Sequence, residues 1–293
     1  MSSIRYTFEA IGTSWQIAVF ELLNAEKKQA LEDAMHKRID AFDEVYSRFR
    51  HDSLVWKLSQ NGGTETLPDD AKAMLDLYKS LYAATDGQFT PLIGQTLVDA
   101  GYDDQYNFQK SKPLTSPPSW EEIISYDQHS ITLAKPALLD FGAAGKGYLI
   151  DLVGGVLKDH GISAYTINAG GDVLHMTAHD QTLKVGLEHP DNPRQVIGVA
   201  TITSESICAS AGNKRRWGEF HHIMHPDTLV SANDVLATWV VAKDAMTADA
   251  LATALFFVSP DILQQTYSFE YIILDNQMQA STSKGIIVDL FLK

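Results

Sequence analysis

The sequence predicts an α+β fold, because helical and strand-like segments both occur without strict alternation along the chain. Residues 6–20 alternate between apolar and polar side chains, as a half-buried strand does. An amphipathic helix is predicted next, since apolar side chains recur at steps of three and four residues. These side chains are Leu31, Met35, Ile39, Phe42, Tyr46 and Phe49.

Proline, glycine and apolar runs predict the remaining elements. Pro68-Asp69 begins a second helix, and residues 86–120 contain the prolines and turn residues of a loop-rich stretch. A strand is predicted to end near Leu139-Asp140. After it come a glycine-rich turn, a helix through residue 157, a strand at 165–168, several strands between 183 and 208, a buried strand at 235–242 and a buried helix at 246–258. A chain of 293 residues suits one large domain, which we predict to span residues 1–293.

The composition restricts the classes of partner and compartment. The net charge is -14, with 45% hydrophobic and 20% charged residues, and such an acidic chain is a poor match for nucleic-acid phosphates. The only cysteine, Cys208, excludes an intrachain disulfide. No segment approaches the ~20 apolar residues of a membrane-spanning helix, and the N-terminus has no signal-like apolar region. We therefore predict a soluble cytoplasmic protein.

The predicted helix at 246–258 is apolar nearly all round and carries one acidic side chain. Asp249 and Thr253 lie four residues apart and so share a face of this helix. A buried carboxylate is costly unless it is paired or bound to a metal, and hard oxygen ligands suit Mg²⁺. A magnesium site is one interpretation. The other is a hydrogen-bonded aspartate beside a threonine that bonds to its own helix.

Two glycine-rich segments are candidates for ligand contact. The turn at 142–147 precedes a predicted helix, whose N-terminal N–H groups favour anions, and Lys146 adds a positive charge. It is not a P-loop, because Gly147 follows Lys146 where that motif requires Ser or Thr. Gly170-Gly171 follows a predicted strand and permits close approach of a ligand. Ordinary tight turns are the alternative in both places.

Three histidines occur at residues 221–225. Zinc is disfavoured, because His221 and His222 point to opposite sides of a strand and no paired ligands accompany them. One of the three could serve as a general base, and a structural histidine is the alternative. If this segment is a strand, His222 and Met224 share one face while His221, Ile223 and His225 share the other.

In this order, the segments resemble the ApbE family, the FAD:protein FMN transferases, over nearly the whole chain. Ser47-Arg48-Phe49-Arg50-His51-Asp52-Ser53 is similar to the family pattern Ser-x-Phe/Tyr-Arg-x-x-Ser, and Asn168-Ala169-Gly170-Gly171-Asp172 matches Asn-Ala-Gly-Gly-Asp. The other similar segments are residues 10–15, 85–91, 140–148, 210–212 with 221–226, and 244–256.

The resemblance implies the flavin transferase architecture of this family, which is T-fold-like, and a site that binds FAD with Mg²⁺ at the diphosphate. It implies that Asp249, Thr253 and the carbonyl of Ala143 hold the metal, and that His222 is the catalytic base. FMN would be moved to a Ser or Thr hydroxyl of an acceptor flavoprotein, with release of AMP. The residues implied to contact FAD are Ile11, Phe49, Gln88, Phe89, Thr90, Asp140, Lys146, Gly170, Gly171 and Met224.

The chain departs from the family pattern at several positions, although the Asp249 and Thr253 pair is intact. His225 and Thr90 each replace an Asp, Gly145 replaces an Ala, and Ala211 intrudes between Ser210 and Gly212. Three functions therefore stay open. They are FMN transfer to an acceptor protein, Mg²⁺-dependent hydrolysis of FAD to FMN and AMP, and FAD binding without catalysis.

Overall fold

The computed structural model describes residues 3–110, 112–178 and 181–292. Met1, Ser2 and Lys293, at the ends of the predicted domain, lie outside the described residues. No helix in the described ranges combines the length and the apolar character that a membrane span needs. In chain order the helices are α1 (Ala25–Tyr46), α2 (Leu54–Asn61), α3 (Ala71–Ala84), α4 (Gly94–Asp99), α5 (Trp120–Ile123), α6 (Gly145–Asp159), α7 (Ala245–Ala254) and α8 (Pro260–Leu263).

The strands form one long antiparallel sheet and three small sheets. In chain order they are β1 (Ile4–Ala10), β2 (Thr13–Val19), β3 (Gly63–Thr66), β4 (Ile124–Tyr126), β5 (Ser130–Leu133), β6 (Tyr165–Ala169), β7 (Asp172–Met176), β8 (Leu183–His189), β9 (Asn192–Ile202), β10 (Ser206–Ala211), β11 (Arg216–Trp217), β12 (Phe220–His221), β13 (Val235–Ala242), β14 (Glu270–Asp275), β15 (Ala280–Thr282) and β16 (Val288–Leu290). The long sheet has the order β1-β2-β6-β7-β10-β13-β14-β15. The small sheets are β16-β9-β8, β3-β5-β4 and β11-β12.

The long sheet is covered on both faces around β10 and β13. On one face, α6 and α7 pack with α1 over a core that includes Cys208 and Val240. On the opposite face, the sheet β16-β9-β8 packs over Ile207, Trp239 and Val241. Because successive strand residues point to opposite faces, β10 and β13 contribute to both cores, and this double burial matches their nearly continuous apolar sequences.

These elements confirm the predicted α+β class and correct several boundaries. The alternating segment 6–20 is two strands, because positive φ angles at Ile11 (45°) and Gly12 (76°) turn the chain into a hairpin. The strand predicted to end at Leu139-Asp140 is wrong: residues 136–140 carry no strand assignment, and the Asp140 N–H donates to the carbonyl of Pro91 instead (2.7 Å).

The observed helix boundaries also differ from those that the periodicity of the sequence predicts. Helix α1 ends at Tyr46, so Phe49 lies beyond it, and the loop-rich stretch 86–120 contains α4. The predicted helix at 246–258 is observed as α7, Ala245–Ala254.

Helices α6 and α7 approach each other closely at Gly147. Its N–H donates to Oδ2 of Asp249 (2.8 Å). A Cβ at Gly147 would overlap the carbonyl oxygen of Ala245 and lie 2.7 Å from Cβ of Asp249. One turn later on α6, the Asp151 carboxylate accepts from the N–H groups of Ala245 (2.9 Å) and Met246 (2.8 Å). Helix α6 thus holds the first turn of α7 at two points.

We expect Gly147→Ala to destabilise the protein by about 1–3 kcal/mol, the usual cost of forcing an extra carbon into a packed interior. Gly155→Ala is the matched control, since Gly155 lies on the same helix and a Cβ added there would meet no atom within 4 Å. That change should be neutral or stabilising, because alanine favours the helix. Denaturant unfolding of both variants measures the difference, and equal stabilities would contradict the close approach of α6 and α7.

Candidate active site

A cavity of about 790 Å³ opens between the helices, the long sheet and the turn after β10. The structure brings every residue proposed from the sequence for FAD, metal or catalysis to the wall of this cavity. These residues are Ile11, Phe49, Gln88, Phe89, Thr90, Asp140, Ala143, Lys146, Gly170, Gly171, His222, Met224, Asp249 and Thr253. They are spread over most of the sequence, so the fold, and not local chain proximity, gathers them.

Helix α7 presents Asp249 and Thr253 to the cavity. Asp249 is buried, and burial raises the pKa of its carboxyl group, an effect that the nearby Lys146 ammonium opposes. The Thr253 hydroxyl shares a hydrogen bond with the hydroxyl of Ser210 on β10 (2.9 Å). Two oxygen-bearing side chains are therefore held on one face of a buried helix, at the cavity wall.

Lys146, in the first turn of α6, lies between two buried carboxylates. Its ammonium is 3.4 Å from Oδ1 of Asp249 and forms a second ion pair with Oδ2 of Asp172. The other oxygen of Asp172 accepts from the backbone N–H of Ala209 (3.0 Å). One cation thus offsets two carboxylates, and this corner of the cavity retains negative charge that suits a further cation.

Asp140 is fixed from two sides at the start of the glycine-rich turn. Its Oδ1 accepts from the N–H of Gly142 (2.7 Å), and its Oδ2 pairs with Nε of the buried Arg48 (2.5 Å). The Arg48 guanidinium lies 4.1 Å from the ring centroid of Phe49 and 4.6 Å from that of Tyr102. Aromatic faces stabilise such a cation, so Asp140, the turn and the aromatic wall form one unit.

His222 lies on the cavity wall, just beyond β12. The pKa of His222 is lowered to about 3, and burial is the main cause. The positive charge of Arg215 and the neighbouring His221 act in the same direction, whereas Asp140 opposes them. Its Nδ1 is buried without a hydrogen-bond partner among the described residues. The imidazole is therefore neutral near pH 7 and is able to accept a proton.

The strand geometry expected for residues 221–225 is only partly observed. As expected, His222 and Met224 line the cavity while His221 and His225 do not, but Ile223 also lines it. The strict alternation fails because β12 ends at His221.

His225 contacts the cavity wall from behind. Its Nδ1 shares a hydrogen bond with Oε1 of Gln88 (3.1 Å), and its ring packs edge-on against Phe257. Because both Gln88 and Phe257 line the cavity, His225 supports the wall without forming part of it.

Comparison with known proteins identifies the family. The model of the ApbE family matches residues 11–272, which is most of the chain. The chain belongs to the ApbE family. The resemblance seen in the sequence motifs is thereby confirmed.

Three curated relatives of this ApbE-family chain share the name FAD:protein FMN transferase. The protein of Klebsiella pneumoniae (strain 342) is 23% identical over 279 residues, covering 88% of this chain and 79% of the relative. The Escherichia coli K12 protein is 23% identical over 281 residues, covering 86% and 78%. The Treponema pallidum protein is 23% identical over 317 residues, covering 94% and 86%.

Solved ApbE structures share the fold. The ApbE protein of Thermotoga maritima superimposes with a TM-score of 0.84 at 20% identity, covering 97% of both chains. The flavin transferase ApbE of Vibrio cholerae gives a TM-score of 0.77 at 16% identity, again covering 97% of both chains. The predicted ApbE-like architecture is therefore confirmed.

The oxygen donors on this wall fit a hard cation. Asp249, Thr253 and Ala143 line one cavity, and together they offer a carboxylate, a hydroxyl and a backbone carbonyl, which are the donor types that Mg²⁺ accepts. The described residues contain no group of three or more His, Cys, Asp or Glu side chains placed to hold a metal. Such a small protein donor set suits an ion that keeps waters and substrate phosphate as its other ligands.

Sequence reasoning missed four polar residues of this cavity wall. Asp172 and Ser210 lie within the family-like segments, but only the structure shows their contact roles, through their bonds to Lys146 and Thr253. Arg48 occupies the variable position of the Ser-x-Phe/Tyr-Arg pattern, and Arg215 lies outside every matched segment. No local pattern marks these two arginines, because only the tertiary fold brings them to the cavity.

Proposed function

We propose that this ApbE-family chain is a Mg²⁺-dependent FAD:protein FMN transferase. It would attach FMN to a Ser or Thr hydroxyl of an acceptor flavoprotein and release AMP. The single observation that carries the proposal is the convergence of all the proposed site residues on one cavity, in a chain whose relatives carry that enzyme's name. The single-domain organisation and the cytoplasmic location stay predictions.

The proposed reaction requires little covalent chemistry from the protein. The acceptor hydroxyl oxygen forms a bond to the phosphorus of the FMN half, and the bond from that phosphorus to the bridging oxygen breaks. His222 would accept the hydroxyl proton, since its imidazole is neutral and its ring lies on the cavity wall. Phosphoryl transfer of this kind depends chiefly on positioning and on neutralisation of charge.

Asp249, Thr253 and the carbonyl of Ala143 are the proposed metal ligands. Bound there, Mg²⁺ would supply charge neutralisation at the diphosphate. Lys146 would remain paired, because Asp172 is its second carboxylate partner. Asp140 is already bonded to Arg48 and to the Gly142 N–H, so we propose that it orders the turn beside FAD as well as contacting the ligand.

Incubation with FAD and Mg²⁺, with and without an acceptor flavoprotein domain, tests the function directly. AMP release that requires the acceptor, together with FMN covalently bound to it, is the expected result. AMP and free FMN without an acceptor would identify a pyrophosphatase, in which water replaces the hydroxyl. FAD binding with no AMP in either arm would identify a flavin-binding protein and overturn the proposal of catalysis.

We expect Asp249→Asn to weaken Mn²⁺ binding, measured by calorimetry or electron paramagnetic resonance, by more than about 100-fold, the upper range for loss of an outer-shell partner. The asparagine carbonyl can still accept from the Gly147 N–H, so the variant should fold. Asp244→Asn is the control: it makes the same charge change at the N-cap of α7, where Asn caps equally well. Equal metal affinity in the two variants would remove Asp249 from the metal site.

His222 and His225 should differ in their effects on turnover. We expect His222→Ala to lower the rate of AMP release by about 10²–10⁴-fold, the usual contribution of a general base, with FAD binding retained. His225→Ala removes the hydrogen bond to Gln88 and the packing on Phe257. We therefore expect a much smaller loss of turnover, in proportion to any loss of stability. Steady-state kinetics with thermal unfolding separates the two. A dead His225 variant beside an active His222 variant would reassign the base.

A further inference from the structure

The cations on the cavity wall are paired with carboxylates, with one exception. Arg48, Arg50, Lys146 and Lys214 each form an ion pair. Arg215 also lines the cavity but has no ion pair within the described part of the chain. Arg215 is exposed, so its guanidinium is open to the cavity and is able to bind an anionic group of a ligand.

The backbone that carries Arg215 is fixed between the metal-site threonine and the proposed base. Its 3₁₀ turn, Gly212–Arg215, follows β10, where Ser210 bonds to Thr253. Gly212 packs on the ring of His221, so that a Cβ there would lie 3.1 Å from the imidazole. The carbonyl of Arg215 accepts from the N–H of His222 (3.3 Å). The side chain therefore starts from a defined point between Thr253 and His222.

The guanidinium of Arg215 extends along the aromatic wall. Its central carbon lies 5.6 Å from the ring centroid of Tyr102. Its positive charge also acts on His222, because after burial it is the next cause of the lowered pKa of that imidazole. Arg215 and His222 are joined through the backbone and line the same cavity, so the guanidinium is available to a ligand that His222 also contacts.

We propose that Arg215 is a further catalytic residue, whose guanidinium binds the non-bridging phosphate oxygens of FAD beside His222. This inference rests on the proposed function. In the transfer step, the acceptor oxygen bonds to the phosphorus of the FMN half, its proton moves to His222, and the bridging oxygen leaves with its electron pair on AMP. Negative charge on the oxygens around that phosphorus is matched by the planar, permanently charged guanidinium.

The neighbouring arginine provides a matched control. Arg216 carries the same charge and is also exposed, but it begins β11 and does not line the cavity. With saturating FAD and Mg²⁺, Arg215→Ala should lower kcat for AMP release by about 10²–10³-fold, the loss typical of removing one charge-stabilising donor. Arg216→Ala should keep near wild-type turnover. Arg215→Lys should recover only part of the rate, because an ammonium cannot bind two oxygens in a fixed plane.

Equilibrium binding without metal gives a readout that does not depend on turnover. Arg215→Ala should weaken FAD binding, followed by flavin fluorescence, and leave riboflavin binding unchanged, because riboflavin carries no phosphate. An equal loss for riboflavin would show that Arg215 contacts the ring and would overturn the assignment.

The same pair of measurements separates the two proposals. If the wild-type protein releases no AMP, the proposed function fails, whereas the binding comparison still tests Arg215. If the wild type is active and Arg215→Ala matches Arg216→Ala in both turnover and FAD affinity, the role of Arg215 is excluded and the proposed function stands.

Discussion

The hydrogen bond from the Gly147 N–H to the Asp249 carboxylate is the contact on which the geometry of the site depends. It requires that α6 and α7 approach until a side chain at residue 147 has no space. Asp151 reinforces it one turn later by accepting from two N–H groups at the start of α7, and burial raises the pKa of Asp151 to about 7. Helix α6 also carries Lys146 in its first turn, so one element positions α7, its carboxylate and the ammonium that faces it.

The cavity wall gathers positively charged side chains in a protein that is acidic overall. The chain carries a net charge of -14, yet its cavity wall holds several cations, among them Arg48, Lys146 and Arg215. Each buried carboxylate there is held by backbone N–H groups or by a cation, which offsets the cost of its desolvation. An anionic dinucleotide would meet the guanidinium of Arg215, which has no ion pair among the described residues, and oriented N–H groups, although the protein as a whole would repel it.

Much of this site could be predicted from the sequence, because its parts follow local rules. Asp249 and Thr253 share a helix face at a spacing of four residues, and the glycine-rich turn precedes a helix. Contacts between distant parts of the chain could not be predicted from the sequence, because no local pattern marks them. The segment ending at Asp140 is bound to Pro91 and Arg48, partners from distant parts of the chain, and its apolar run mimics a strand. Arg215 reaches the cavity only because a turn from β10 folds back towards His222.

The electrostatics of His222 explain why a ligand must take part in the proposed chemistry. A pKa of about 3 keeps the imidazole neutral, but it also makes a weak base, since effective bases have a pKa near the working pH. Burial is the main cause of that low pKa and the charge of Arg215 is the next, and the Arg215 guanidinium has no carboxylate partner in the described chain. A diphosphate bound to Arg215 would offset the repulsion between that guanidinium and the imidazolium, so His222 would be a stronger base with the anion to be cleaved beside it.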